Sequence, residues 1–209
     1  MRTLVVLVSV LAMVAALAVG ASAHLTGKKI CIDPGHGGSD PGAVSGGYNE
    51  KDINLAIGKR MNTRFLNDDA STKMTRSTDI YVSLSGRCSI ANNWGANRFE
   101  STHCNAFSSS SANGTETYCC PGCSSYSYDL RNKVNPELVA HMGTVNRGVK
   151  EAAYTVLTGT SMPAILGEVA FITNTADRNK LINSTYQDQA GIAYLHGTQS
   201  HYGITPHTH

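Results

Sequence analysis

The sequence predicts one α/β domain, a twisted, mostly parallel sheet flanked by helices. Short apolar runs rich in strand-forming residues alternate with amphipathic helical stretches, the order that crossover connections between parallel strands produce. Residues 24–209 are long enough for one domain around one core. No internal repeat breaks this order.

Residues 1–23 stand apart. Arg2 supplies a short basic region, Leu4 to Val19 is an almost unbroken apolar run, and Ala21-Ser22-Ala23 closes it with small residues. These are the parts of a secretory signal peptide. The run is shorter than the roughly 20 apolar residues of a membrane span, so the expectation is cleavage after Ala23 and a secreted product, extracellular or periplasmic. No later run is long and apolar enough to hold the chain in a membrane. Losing Arg2 leaves 16 basic residues against 15 acidic ones. That balance, without a basic stripe interleaved with aromatics, excludes a nucleic-acid surface, and no strongly cationic face addresses anionic polymers. Six cysteines in an exported chain lead us to expect disulfides. Cys31 and Cys104, in apolar strand-like runs, also suit buried thiols.

Within the domain, Lys29 to Asp33 reads as a buried strand. Pro34 to Asn49, with six glycines and two prolines, is a loop. Glu50 to Leu66 reads as a helix whose Ile53, Ile57, Met61 and Phe65 form an apolar stripe. Thr72 to Thr75 is a brief strand. Leu84, Cys88, Ala91 and Trp94 mark a second helix, and Arg98 to Cys104 a third strand. After a serine-rich loop, Thr115 to Tyr118 is a short strand. Cys119 to Tyr128 reads as irregular, and a third helix ends over Leu138 to Met142. Tyr154 to Leu157 and Ala164 to Ala170 read as two more strands, and Gln187 to Tyr202 as the last helix.

In such sheets the working groups gather at the carboxyl ends of the strands. Four residues occupy that edge: His36 after the first strand, Glu50 at the first helix start, His103 near the end of the third strand, and Glu168 near the end of the last. Two imidazoles and a carboxylate suit a catalytic zinc that leaves its fourth position to water. Zinc lowers the pKa of that water to roughly 7, and a further carboxylate can carry its proton to a leaving nitrogen. Taken singly, each residue has a plainer role. His36 suits a loop, His103 a hydrogen-bonded core position, and Glu50 a first-turn carboxylate facing the helix dipole. Glu168 is the least plain, because a carboxylate inside Pro163 to Phe171 must be buried, at a cost unless paired or metal-associated.

Several blocks, in order, resemble the zinc-dependent N-acetylmuramoyl-L-alanine amidases of the amidase-3 family: Ile32 to Ala43, Glu50 to Leu55, Met74 to Asp79, Leu84 to Asn92, Ser101 to Ala106, Gly114 to Tyr118, Asn146 to Lys150 and Pro163 to Asn174. The resemblance implies a zinc amidase fold and one Zn2+ per chain, held by His36, Glu50 and His103. It implies Glu168 as the catalytic carboxylate and, as substrate, the lactyl–L-alanine amide of peptidoglycan. Arg76, Asp79 and Arg87 match family positions too and read as salt bridges beside the sheet. Thr102 and Gly167 depart from the branched apolar residues usual there, and Gly167 is expected to loosen the strand before Glu168. Some relatives carry an inserted helix that blocks the zinc. The span from Gly114 to Arg147 has room for one ordinary helix, so no activator protein is expected.

Other classes of function compete. Cys120-Pro-Gly-Cys123 with Met162-Pro163 could be a thioredoxin-type redox pair, although Ser124 to Tyr128 makes a poor start for the helix that such a pair opens. His24, exposed by signal cleavage, could hold copper with a second histidine, although Leu25-Thr-Gly looks like a loose lead-in. An amidase-like fold that only grips wall fragments would lack one of the four polar residues, and all four are present. His196, His201, His207 and His209 read as a solvated helix face and tail rather than a secondary metal site. Asn113 and Asn183 head glycosylation sequons, meaningful in a eukaryotic secretory pathway. The clearest consequence of the leader concerns processing: amino-terminal sequencing of secreted protein should begin at His24, and retention of Met1 would refute the cleavage.

Overall fold

The structure, a computed structural model, describes residues 24–209, so the signal peptide expected over residues 1–23 lies outside the described residues. The first strand, β1 (Lys29–Pro34), is buried from Ile30 onward. Short helix-connected segments place it between two parallel neighbours, β4 (Ser71–Met74) and β5 (Arg98–Asn105). β8 (Ala164–Phe171) lies parallel on the far side of β5, with His103 opposite Glu168. β6 (Thr115–Cys119) then runs antiparallel to β8, and β7 (Asn146–Glu151) closes the edge parallel to β6. The order β4-β1-β5-β8-β6-β7 is the mostly parallel sheet that the alternation predicts, with one reversal. A two-stranded hairpin, β2 (Val44–Ser45) and β3 (Tyr48–Asn49), sits inside the long glycine-rich loop.

Alternation along the strands sends side chains to opposite faces. Ile30, Ile32, Ile165 and Val169 enter the main core beneath α1 (Glu50–Asn67), α3 (Ser125–Met142) and α6 (Ser184–His201). The α1 stripe Ile53, Ile57, Met61 and Phe65 is buried there as its four-residue spacing requires. Cys31, Phe99, Ala164 and Leu166 face the other way, into a smaller core under α2 (Leu84–Trp94) and α4 (Thr155–Thr158).

Three expectations need correction. Tyr154 to Leu157 is the start of α4 and not a strand. Its composition favours extended chain, but Leu157 N and Thr158 N both bond back to Tyr154 O (2.8 and 3.0 Å), which lets Val156 and Leu157 bury against the small core. The segment read as irregular holds the start of α3. Ser124 caps it, its hydroxyl accepting from Ser127 N at 3.4 Å, so the serines unpromising inside a helix act at its end. The expected disulfides are not formed in this structure: all six cysteines are free thiols. Four of them are buried, and burial pushes the Cys31 thiol up to about 12. The strand β7 and the helix α5 (Thr175–Leu181) add to the elements that the sequence predicts; β7 is a polar, largely exposed edge without an apolar pattern to mark it. No helix among the described residues is long and apolar enough to cross a membrane.

One buried carboxylate serves no site. Glu100 on β5 lies under α6, where Oε1 accepts from Thr198 Oγ1 at 2.7 Å and Oε2 has no partner. Burial pushes it up to about 8. Its folded pKa exceeds its unfolded one, so its stabilisation is full below the ordinary carboxylate pKa and is lost as pH rises through about 8. The melting temperature of the wild type should therefore fall more steeply between pH 5 and pH 8 than that of Glu100→Gln, followed by circular dichroism. Parallel pH profiles would refute this.

Candidate metal centre

The turn after β1 begins the site. His36 adopts φ 61°, a left-handed conformation that costs a non-glycine residue strain and is held by its surroundings. Two buried guanidiniums supply that hold. Arg87 donates to Pro34 O and Asp33 Oδ1 at 2.7 Å and to His36 O at 2.6 Å. Arg76 donates to Pro34 O, Gly35 O, Lys51 O and Thr78 O. Arg87 thus makes the structural salt bridge expected of it, whereas Arg76 clamps four carbonyls and no carboxylate. Asp79 accepts from Lys51 Nζ and Gly38 N, both at 2.7 Å, and pins the far side of the loop.

Glu50 opens α1 and is 4 % exposed. Its Oε2 accepts from Ala43 N at 3.0 Å and lies 3.2 Å from His36 Nε2. Its Oε1 accepts from Asn54 Nδ2 and Cys104 N, each at 3.1 Å, and lies 2.9 Å from His103 Nδ1. Burial pushes the carboxyl up, but the two imidazoles outweigh it and hold Glu50 far below the usual carboxylate range. Burial likewise disfavours the His36 cation, while Glu50 and Asp40 push it up to about 9. Asp40 Oδ2 meets His36 Nδ1 at 2.8 Å, the outer carboxylate that commonly orients a ligating imidazole. His103 reaches inward because Gly35 has no side chain: a Cβ there would lie 2.1 Å from the His103 ring.

Donor atoms of His36, Glu50 and His103 lie within 4.8 Å of one another. Two imidazoles and a carboxylate converging in a cleft match the donor set of a catalytic zinc site. Glu168 faces the same cleft, of about 520 Å³, together with Tyr81, Tyr154 and Leu166. Its Oε2 is buried with no hydrogen-bond partner. Burial pushes Glu168 up to about 7 against the opposing pull of His103. The four residues singled out in the sequence therefore come together at one strand edge. At Gly167 β8 stays paired on both sides, to Thr102 and Thr117, and the missing side chain makes room for Tyr194, whose hydroxyl a Cβ there would meet at 2.1 Å; Tyr194 in turn donates to Ser101 O at 3.2 Å and ties β5 to α6.

Two further residues belong to the site. Asp40 lies in the glycine-rich loop, where the sequence pattern alone gives it no role. Glu116, on β6 opposite Glu168, is 2 % exposed and paired with Arg147 (2.5 Å) and Lys150 (2.7 Å). Burial pushes Glu116 up, but Lys150, Tyr118 and Arg147 bring it down to about 2. Its signal was a carboxylate between two threonines of a short strand, legible only once β6 is known to lie beside β8. The rival cysteine pair fares less well. Cys120 and Cys123 do share a cleft with Met162 and Pro163. Burial and the neighbouring Cys123 push the Cys120 thiol up to about 11, opposite to the activated thiolate that redox exchange uses.

Comparison with known proteins bears on the family and the fold. The family profile described as N-acetylmuramoyl-L-alanine amidase matches residues 30–200. The N-acetylmuramoyl-L-alanine amidase LytC of Bacillus subtilis is 42 % identical over 188 residues, covering 85 % of this chain and 36 % of LytC, so the chain spans about a third of that relative's length. The crystal structure of an N-acetylmuramoyl-L-alanine amidase from Clostridium difficile 630 superposes with TM-score 0.81 at 35 % identity, covering 84 % of this chain and 97 % of that one. The CwlD amidase from Clostridioides difficile, solved in complex with the GerS lipoprotein, gives 0.78 at 31 % identity and covers 84 % and 98 %. With the sheet order, the converging donors and the match over nearly the whole described chain, this protein belongs to the amidase-3 family of N-acetylmuramoyl-L-alanine amidases.

Proposed function

We propose that this chain is a secreted peptidoglycan hydrolase that cleaves the amide between the lactyl group of N-acetylmuramic acid and the L-alanine of the stem peptide. His36, Glu50 and His103 would hold one catalytic zinc, and Glu168 would be the general base. The observation that carries this reading is the Glu168 Oε2 atom, buried and unpartnered in the cleft beside His103, with a pKa near neutrality.

Zinc bound here supplies Lewis acidity, polarising an amide carbonyl and activating water at neutral pH. The protein residues do the rest. Asp40 orients His36 through Nδ1, leaving Nε2 toward the cleft. Glu50 stays ionised because backbone N–H groups of Ala43 and Cys104 and the two imidazoles favour its charged form. Glu168 takes the proton of the attacking water and passes it to the departing L-alanine nitrogen. The exposed faces of Tyr81 and Tyr154 (58 % and 40 %) offer amphipathic surface to the sugar and stem peptide.

Only α3 lies between β6 and β7, which supports activity without a blocking helix to displace. Purified protein alone should digest peptidoglycan, and a strict need for a second protein would overturn that part of the reading.

Metal binding and chemistry should separate by mutation. His36→Ala, Glu50→Ala or His103→Ala should each lower both the metal held at this centre and the activity. Glu168→Gln should retain the metal of the wild type while turnover falls by ~10²–10⁴-fold. Product analysis decides the bond: new L-alanine amino groups are expected, and reducing sugar ends without new amines would refute amide cleavage.

A further inference from the structure

The histidine-rich end of the chain is not the solvated tail that its sequence suggests. His201 pairs with Asp129 at 2.6 Å, and His196 stands beside His141 and Glu137. His207 and His209 turn away from both. They fold back across the domain to His24 and to Asp68, which follows α1. The lead-in at His24 is not loose either: Leu25 is fully buried, and its N–H donates to Asp68 O at 3.0 Å.

We propose that His24, Asp68, His207 and His209 form a second divalent-metal site, closed by four protein ligands and suited to zinc, which fastens the segments preceding β1 and following α6 to the end of α1. The proposal does not depend on the amidase reading.

The geometry is that of a ligand set. One donor atom from each of the four residues falls within 4.8 Å of all the others. Asp68 Oδ1 lies 3.2 Å from His24 Nδ1, 3.1 Å from His207 Nε2 and 3.9 Å from His209 Nε2. Zinc bonds to nitrogen and oxygen of about 2.0–2.1 Å place the corners of a tetrahedron roughly 3.3 Å apart. His24 Nδ1 and Asp68 Oδ1 face each other at that separation, yet both are buried and neither makes a hydrogen bond. The Asp68 side chain is fully buried, so the carboxylate is an obligatory part of the interior.

The surroundings hold the donors in place. His207 Nδ1 lies 2.9 Å from Thr205 O and 3.4 Å from Gln199 Nε2, contacts that hold the ring with Nε2 toward Asp68. Nε2 then faces Asp68 Oδ1 at 3.1 Å, a separation that one cation bound between them would bridge. The three ring centroids lie 4.8–5.3 Å apart around the Asp68 carboxylate. A single divalent ion at their centre would take one donor atom from each of the four residues. Gln199 bonds both backbone polar groups of His207, and Arg64 donates to His209 O at 3.1 Å, so the segment is docked before any metal binds. With four protein ligands and no position left for water, the role is structural rather than catalytic.

The test counts metal and reads stability. Untagged chain from His24 onward, the double variant His207→Ala/His209→Ala and the variant Asp68→Asn are stripped with a chelator, re-equilibrated with Zn2+ alone and dialysed. The double variant should hold one zinc equivalent fewer than wild type and still hydrolyse peptidoglycan, and Asp68→Asn should show the same loss. With zinc about 100-fold above its Kd, the wild-type melting temperature should rise by roughly 5–10 °C more than that of the double variant. His36→Ala should lose a different equivalent and keep this rise, so failure at the catalytic centre is distinguishable. Equal zinc content in wild type and double variant would overturn the proposal, as would an undiminished zinc-dependent rise in the double variant.

Discussion

The Glu50 carboxylate is the constraint around which the working half of the molecule is arranged. It sits buried at the start of α1 and touches three separate pieces of chain: Ala43 in the glycine-rich loop, Asn54 one turn along the helix, and His103 with Cys104 on β5. A buried charge is tolerated only when its lone pairs are met. Meeting them fixes the entry of α1, the path of the loop and the position of β5 relative to both. The first-turn carboxylate that would serve any helix dipole is here the knot that ties the site together.

The two faces of the sheet divide the labour. The larger core under α1, α3 and α6 supplies most of the buried apolar surface, and hydrophobic burial is the dominant favourable term in folding. The smaller core under α2 and α4 leaves a cleft at the carboxyl ends of β1, β5 and β8, into which His103 and Glu168 project from adjacent strands. Arg76 and Arg87 close the carbonyls of the turn that carries His36, replacing water as their partner. A strained backbone, a buried carboxylate and two buried guanidiniums would each be a liability alone, and together each satisfies the others. Glu116 extends the same logic to the far wall, where Arg147 and Lys150 neutralise a second carboxylate facing Glu168.

Much of this was legible in one dimension. The α1 stripe of Ile53, Ile57, Met61 and Phe65 declared both the helix and its buried face, because the 3.6-residue repeat maps spacing onto a side. The runs at β1, β5 and β8 declared a buried sheet, and Glu168 drew attention because a carboxylate has no cheap place in such a run. Local chemistry was harder to weigh. Tyr154 to Leu157 has strand composition but makes a helical turn, since its own backbone bonds and the burial of two side chains outweigh a weak propensity. Gly167 looked like slack in a strand and is a packing position for Tyr194, a contact between residues 27 apart that no local pattern encodes.

By itself the sequence determined the α/β class and the order of the principal elements, which follow from periodicity, and it singled out His36, Glu50, His103 and Glu168 as candidates through residue chemistry and a family resemblance carried in short blocks. Only the tertiary structure decided what those residues touch. It reversed β6 against β8 and so brought Glu116 opposite Glu168, turned Asp40 onto His36, and made Arg76 a clamp for carbonyls rather than a salt bridge. It also carried His207 and His209 back to His24 and Asp68, residues more than a hundred positions apart. The physical reason is the same in each case: hydrogen bonds and electrostatic contacts act over a few ångströms of space, and separation along the chain says little about which groups will share it.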